Sequence, residues 1–574
     1  MKRLLKYLGK YKKEAFIAPL FKLLEASFEL IVPLIIAAII DKGIGGTNSG
    51  LIVKYSLILV LLAVVGWVCA VIAQFYAAKA AVGTTAEMKS DLFKKIQSLS
   101  HSEFDTLGNS TMITRMTSDC NLVQNAVNLF LRLFLRAPII VFGAMIMAFT
   151  VSVRAALVFV AVIPLLALIV YGVMYLTVPL YKKVQQKVDS LLGITRENLG
   201  GARVIRAFCR EEDETRRFEE TNRDLSVMQR FVGKISALTN PLTFLLINTA
   251  IIVLIYVGAI QVNIGNLTQG QVIALYNYMS QILVELIKLA NLIVTVTKGI
   301  ASAKRIDAVM ELEPSVKFSE SDEKSVQYGT VVFENVGLTY KNAGAPSLNG
   351  ISLCANAGET IGIIGGTGSG KSSVVNLIPR FYEITEGSLL IDGKSVSEYS
   401  EEGLRDAIGV VPQHAKLFKG TIRENMLIGN ENATDEQIIE ALKQAQAYEF
   451  VSKKEGFLDH MIESGGKNLS GGQRQRLTVA RALVRRPKIL ILDDSASALD
   501  YSTDAALREA ISSLDYSPTT FIVSQRASSV LHADKILVLE DGESVGYGSH
   551  DELIKSCDVY QEIYYCQFPD ENNA

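Results

Sequence analysis

The sequence predicts a multi-pass α-helical membrane domain of six spans, followed by an α/β domain built around a phosphate-binding loop. Three observations predict it. Six apolar stretches of spanning length occupy the first half of the chain. From Gly329 onward, short apolar runs alternate with helical patterns. One of those runs, Thr360 to Ile364, opens into the glycine-rich loop Gly365-Gly-Thr-Gly-Ser-Gly-Lys371-Ser372-Ser373, and a helical pattern to Arg380 follows. At 574 residues the chain exceeds one hydrophobic core. The expected divisions are a membrane domain over 1–310, a linker over 311–328 and the α/β domain over 329–574.

Hydrophobic residues make up 49% and charged residues 20%, and the mean hydropathy is +0.27. The net charge of −2 supplies no bulk attraction for nucleic acid. The cysteines at 69, 120, 209, 354, 557 and 566 form no metal-binding spacing, as expected of free thiols in a reducing compartment.

The first thirteen residues carry Lys2, Arg3, Lys6, Lys10, Lys12 and Lys13 without an acid, which places this end in the cytosol. The first apolar stretch is longer than a signal-peptide core and lacks a cleavage pattern, so it reads as a retained anchor. The six spans run roughly 15–40, 51–78, 127–150, 155–180, 237–262 and 271–297. The links between them alternate between short and long. Both long ones, around 79–126 and 181–236, are polar and helix-patterned and fall on the cytosolic side with Lys89, Lys94, Lys95, Lys182, Lys183 and Lys187. Charges interrupt the spans: Lys22, Glu25 and Glu29 share one face of the first, Arg132 and Arg136 one face of the third, and Glu285 and Lys288 lie in the sixth. Ionised groups are costly in hydrocarbon. Two readings follow: a polar substrate chamber in which Glu29 or Glu285 attracts cations, or structural pairing between helices. Two triplets, Asn266-Leu-Thr268 and Asn432-Ala-Thr434, match the glycosylation pattern by chance.

The glycine loop satisfies G-x-x-x-x-G-K-S with a strand before and a helix after. Its glycines let backbone N–H groups curl around phosphate oxygens, and the helix N-terminus adds partial positive charge. Lys371 would reach the β- and γ-phosphates and Ser372 would ligate Mg²⁺. Downstream, Lys488-Ile-Leu-Ile-Leu-Asp493 is an apolar strand ending in an acid, suited to the Mg²⁺ shell.

Further strings carry a family resemblance. Leu469-Ser470-Gly471-Gly472-Gln473 resembles the ABC signature, Val410-Val-Pro-Gln413 the Q-loop and Ser497-Ala-Leu-Asp500 the D-loop; Tyr340 matches the adenine-stacking aromatic. Ser102-Glu-Phe-Asp105 and Glu197 to Glu211 resemble the cytosolic loop tips of six-span ABC exporters with a fused ATPase domain. The resemblance covers essentially the whole chain. It implies an ATP-driven exporter with a helical subdomain in its ATPase unit, using ATP and Mg²⁺, the latter held by Ser372, Gln413 and Asp493. The nucleotide would contact Tyr340, Gly365, Gly366, Thr367, Gly368, Ser369, Gly370, Lys371, Ser372, Ser373, Gln413 and Asp493. Ser470, Gly471, Gly472, Gln473 and Asp500 would face nucleotide held by a partner, because two such domains meet head to tail. One phosphate loop and one signature per chain therefore imply a dimer.

Two positions depart from the family. The glutamate after the Walker B acid, the base for the attacking water, is Asp494, and the switch histidine that contacts the γ-phosphate is Gln525. The string Glu463-Ser-Gly-Gly466 also departs from the usual G-E-x-G. The resemblance narrows to the degenerate-site subunit of heterodimeric bacterial multidrug exporters. It implies a non-identical partner, a lipophilic or cationic substrate, and a cell membrane location with the N-terminus and ATPase domain cytosolic. A slow homodimer is the alternative, and an ATP-gated channel or regulatory membrane subunit is a more distant one.

Overall fold

Long runs of leucine, isoleucine, valine and alanine leave the backbone no polar partner in hydrocarbon except itself, so they form helices. In the computed structural model, which describes residues 2–319, 325–341 and 343–568, six helices are long and apolar enough to cross a membrane. They are Arg3–Ile44, Ser49–Gln97, Asn109–Val151, Val153–Gly200, Glu211–Asn263 and Gln269–Met310. At about 1.5 Å per residue, Ser49–Gln97 is roughly 70 Å long, more than twice the hydrocarbon thickness. The long polar links of the sequence are thus continuations of the spans.

These helices belong to one compact unit, Met1–Gln97 with Ser110–Leu312. Small residues let them approach closely: Ala73, Ala77, Ala80 and Ala81 are fully buried. Tyr278, also fully buried, donates its hydroxyl to the Leu30 carbonyl at 2.6 Å. The third of these helices keeps helical backbone angles throughout its expected span but loses regular hydrogen bonding at one point. The interruption falls at Phe134–Leu135, between the segments Cys120–Leu133 and Arg136–Val151. Pro138 has no N–H to offer the Phe134 carbonyl, which is the physical reason for the interruption. Asp119 accepts from Arg115 (2.8 Å) and from Arg305 Nε (3.1 Å), joining the long helix that contains it to the last one.

The second unit comprises Ser98–Asn109 and Glu313–Ala574. Its strands are β1 (Val331–Leu338), β2 (Leu348–Ala355), β3 (Thr360–Gly365), β4 (Glu386–Ile391), β5 (Lys394–Ser395), β6 (Ile408–Val411), β7 (Gly420–Thr421), β8 (Met461–Ile462), β9 (Ile489–Asp493), β10 (Thr519–Val523), β11 (Lys535–Glu540) and β12 (Glu543–Gly548). One sheet has the order β12-β11-β3-β10-β9-β6, parallel except for the β12 edge; a second, antiparallel sheet has the order β2-β1-β4-β5. β9 is buried along its whole length, as the continuous run Ile489 to Leu492 requires of a central parallel strand. Helices Ile422–Leu427, Asp435–Gln444 and Gly471–Leu483 each start at a capping box, on Thr421, Thr434 and Ser470. They pack a second core around Leu417, Ile438, Leu442 and Leu477.

The stretch Ser98–Asn109, expected within the membrane domain, lies in this second unit. Its helix His101–Leu107 is started by a Ser100–Glu103 capping box. His101 stacks on Phe381 at 4.4 Å, and Asp105 accepts the Tyr382 hydroxyl at 2.7 Å. Within the expected linker, residues 320–324 lie outside the described residues. Its far end is pinned by Asp392, whose carboxylate accepts backbone N–H groups from Gln327, Tyr328, Gly329 and Thr330 at 2.8–3.0 Å.

Burial pushes the Asp392 carboxyl up, but the backbone donors led by Tyr328 and Gln327 outweigh it and hold its pKa below the usual carboxylate value. The stabilisation is therefore present above about pH 4 and lost as pH falls through the lowered folded-state value. Asp392→Asn is expected to destabilise this unit by about 1–2 kcal/mol at neutral pH, allowing for the group's partial exposure. Denaturation midpoints of variant and wild type should converge in acid.

Candidate functional site

β3 delivers its chain to the C-terminal edge of the parallel sheet, where open α/β sheets bind ligands. There the glycines do what other residues could not. Gly368 and Gly370 have φ of +87° and +94°, and a Cβ on Gly365 would collide with the Leu539 carbonyl. The helix Lys371–Leu377 begins directly after Gly370. A cavity of about 680 Å³ opens over this turn. Tyr340, Thr367, Gly368, Gly370, Lys371, Ser372, Ser373, Gln413, Asp493, Asp494 and Gln525 line it. Gly365, Gly366 and Ser369 complete the loop without lining the cavity. The Ser369 hydroxyl is buried beneath the loop, on the Leu539 side of Gly365, and has no hydrogen-bond partner.

The Lys371 ammonium donates to the carbonyls of Gly366 (2.5 Å) and Gly365 (2.9 Å). Burial lowers its pKa, against the opposing pull of Asp494 and Asp493. Ser372 donates its hydroxyl to Asp493 Oδ1 at 2.9 Å. Burial raises the Asp493 carboxyl above its ordinary value despite that bond, and the neighbouring Asp494 adds to the rise. A divalent cation would reverse both effects. The hydroxyl of Ser372, the carboxylate of Asp493 and the amide oxygen of Gln413 are hard donors of the kind Mg²⁺ takes together with substrate phosphates. Donor chemistry and loop shape therefore fit a Mg²⁺–nucleotide.

Asp494 occupies the left-handed region at φ +48°, and its Oδ2 accepts from Gln413 Nε2 at 3.2 Å. Gln525 reaches the same cavity from the end of β10. Tyr340 shares a 2.9 Å hydrogen bond with Ser373 and meets Tyr382 edge-on at 4.9 Å, so its position just past β1 is set by Ser373 and by the Tyr382 ring.

The signature residues lie outside this cavity. Ser470 caps helix Gly471–Leu483, accepting from Gln473 N at 3.2 Å, while Gln473 Oε1 takes the Ser470 N–H at 3.1 Å. A Cβ on Gly472 would press to 3.1 Å from the Ala498 carbonyl, so a bare backbone at 472 gives the D-loop its close approach. Asp500 caps the next helix through Thr503 N at 2.7 Å. The sequence reading missed the cavity wall formed by Pro346, Ser347, Asp541 and Gly542. The Asp-Gly turn between β11 and β12 was its available signal.

In the membrane unit Glu29, Arg136, Glu285 and Lys288 form one cluster, and Lys22 and Glu25 a separate pair. Arg136 lies 2.8 and 2.9 Å from the two oxygens of Glu29, and 3.6 Å from Glu285. Lys288 also pairs with Glu285 at 2.8 Å, and Lys22 with Glu25 at 2.6 Å. The Glu29 side chain is 41% exposed and that of Glu285 4%. The Glu285 Oε2 atom and Arg136 Nε have no hydrogen-bond partner.

Comparison with known proteins gives a consistent result. Residues 15–286 match the ABC transporter transmembrane region and residues 348–497 the ABC transporter domain. The chain is 37% identical to the uncharacterized ABC transporter ATP-binding protein YfiB of Bacillus subtilis, over all of both chains. It is 33% identical to the putative multidrug export ATP-binding/permease protein YgaD of the same organism, over 99% of each. It is 28% identical to the ATP-dependent lipid A-core flippase of Shigella sonnei, over 99% of this chain and 97% of that one. The structure of a bacterial Atm1-family ABC exporter with ATP bound superposes with a TM-score of 0.81 at 22% identity, covering 97% of this chain and 98% of the other, and so shares the fold. With six spans in one unit and a complete phosphate loop in the other, the chain belongs to the ABC transporter family: it is a multi-pass exporter half-transporter with its ATPase domain in the cytosol.

Proposed function

We propose that this chain is one half of a heterodimeric exporter of small lipophilic or cationic compounds, and that its own phosphate loop binds ATP but hydrolyses it slowly. The observation that carries this reading is the pair Asp494 and Gln525 at the two positions that act on the attacking water and the γ-phosphate. Aspartate is one methylene shorter than glutamate, which withdraws its carboxylate by about 1 Å, and misplacement of that size costs about 100-fold. A well-placed general base contributes about 10²–10⁴-fold. Here the Asp494 carboxylate is also engaged by the Gln413 amide. Gln525 can hydrogen-bond but never becomes cationic. Binding depends on other groups, namely Tyr340, Lys371, Ser372 and Asp493, and these are intact.

The signature supports the lending half of the proposal. Ser470 to Gln473 and Asp500 form well-capped helix starts away from this chain's own cavity, suited to close over nucleotide on a second subunit. The tip of the second cytosolic loop supports a partner too. Leu199, Val204 and Phe208 are 76%, 60% and 75% exposed, an apolar surface a partner would cover. For the substrate, Glu29 is the better of the two candidates, since more of its side chain is exposed than that of Glu285. The names of the multidrug-export relative and the flippase support an amphipathic cargo. A slow homodimer is favoured by one fact: a complete phosphate loop and a complete signature occur in the same polypeptide.

ATPase rates of the chain alone and with its candidate partner separate these readings. The heterodimer predicts a lone-chain rate at least ten-fold below the pair; equal rates would mean a homodimer. Within the pair, Asp494→Glu combined with Gln525→His is expected to raise hydrolysis at this site by about 10²-fold or less, read by single-turnover release of labelled phosphate. No gain would show that another group limits the step.

A further inference from the structure

The loop bearing Gln525 has few partners of its own. It runs from the end of β10 at Val523 to the short helix Ala527–Val530. Ser524 N donates to the Ile363 carbonyl at 3.1 Å, and Ser524 Oγ accepts from Arg526 N at 3.0 Å. The Gln525 carbonyl and the Ala527 N–H flank Arg526, and one side chain takes both. Gln567 accepts from Ala527 N through Oε1 at 2.8 Å and donates to the Gln525 carbonyl through Nε2 at 2.9 Å. A primary amide suits the task because it presents an acceptor and a donor side by side. The backbone groups also fix which amide atom is which, since an N–H can only donate and a carbonyl only accept.

Gln567 ends the helix Asp558–Gln567. That helix is anchored by Tyr560 and Tyr564, which share a buried cluster with Ala527, Val530 and Ile364. On the other side of the loop, the Arg526 guanidinium lies 5.0 Å over the ring of Tyr501, next to Asp500. Gln567 itself is not part of the cavity lining, whereas Gln525 is.

We propose that Gln567 is a positioning residue for the nucleotide site: by holding the backbone on both sides of residue 526 it sets the reach of the Gln525 side chain toward the γ-phosphate. The C-terminal helix thereby becomes part of the machinery that tells ATP from ADP. This holds for a heterodimer or a homodimer alike, and needs only that Gln525 stands at the switch position.

The test is equilibrium binding of ATP and of ADP to the full-length chain, which needs no turnover. Loss of one or two ordinary hydrogen bonds corresponds to about three- to ten-fold. Gln567→Ala is expected to lower the ratio of ATP to ADP affinity by that factor, with ADP affinity within two-fold of wild type. Gln567→Glu, which keeps the acceptor and loses the donor, should fall between. Gln525→Ala should lower the ratio likewise, and adding Gln567→Ala to it should lower it no further. An unchanged ratio in Gln567→Ala overturns the proposal. So does an equal loss of ATP and ADP affinity with a lower unfolding temperature, an additive loss in the double variant, or a silent Gln525→Ala beside an effective Gln567→Ala.

Discussion

A carboxylate buried at the end of a parallel strand constrains the whole ATPase unit. Asp493 is 8% exposed, and burying such a group is unfavourable unless hydroxyls, cations or a metal answer it. Ser372 supplies the hydroxyl, from a helix 121 residues earlier in the chain. For the two to meet, β3 and β9 must lie in one sheet with β10 between them, and the glycine turn must fold back over the strand ends. Strand order and phosphate chemistry are thus one requirement. β10 gains a function from its place in the middle: its end delivers Gln525 to the same cavity.

The surrounding loops are held to tolerances smaller than a side chain. Gly472 has no Cβ, so the Ala498 carbonyl can come close to the signature helix. Gln413 reaches Asp494 from the end of β6, and the chain leaves Asp494 through a left-handed turn into Ser497. A nucleotide bound here would meet a base position whose carboxylate is already engaged.

The membrane unit solves a different problem with the same physics. Glu29, Glu285, Arg136 and Lys288 come from three separate helices and neutralise one another where isolated charges would be costly. Both carboxylate oxygens of Glu29 accept from Arg136, so the pairing between helices engages the whole group.

Much of this protein was legible in its sequence because the informative features are local. The glycine loop, Walker B strand and signature are contiguous strings, and the apolar spans announce themselves by length. The capping boxes at Thr421, Thr434 and Ser470 are written four residues at a time. The interruption at Phe134–Leu135 had a local signal as well, Pro138, but tertiary packing decides whether such a proline interrupts a helix or ends it. Other features had no signal in periodicity, caps or spacing. The union of Ser98–Asn109 with the ATPase unit rests on pairs such as Asp105 with Tyr382, 277 residues apart. The Arg136–Glu29 pairing spans 107 residues, and Gln567 reaches Gln525 across 42. The sequence by itself determined which elements form and which chemistry they carry, since periodicity, caps and motif spacing act over a few residues. Only the tertiary structure decided which distant charges, glycines and amides face each other, because those contacts exist only once the sheets and helices have packed.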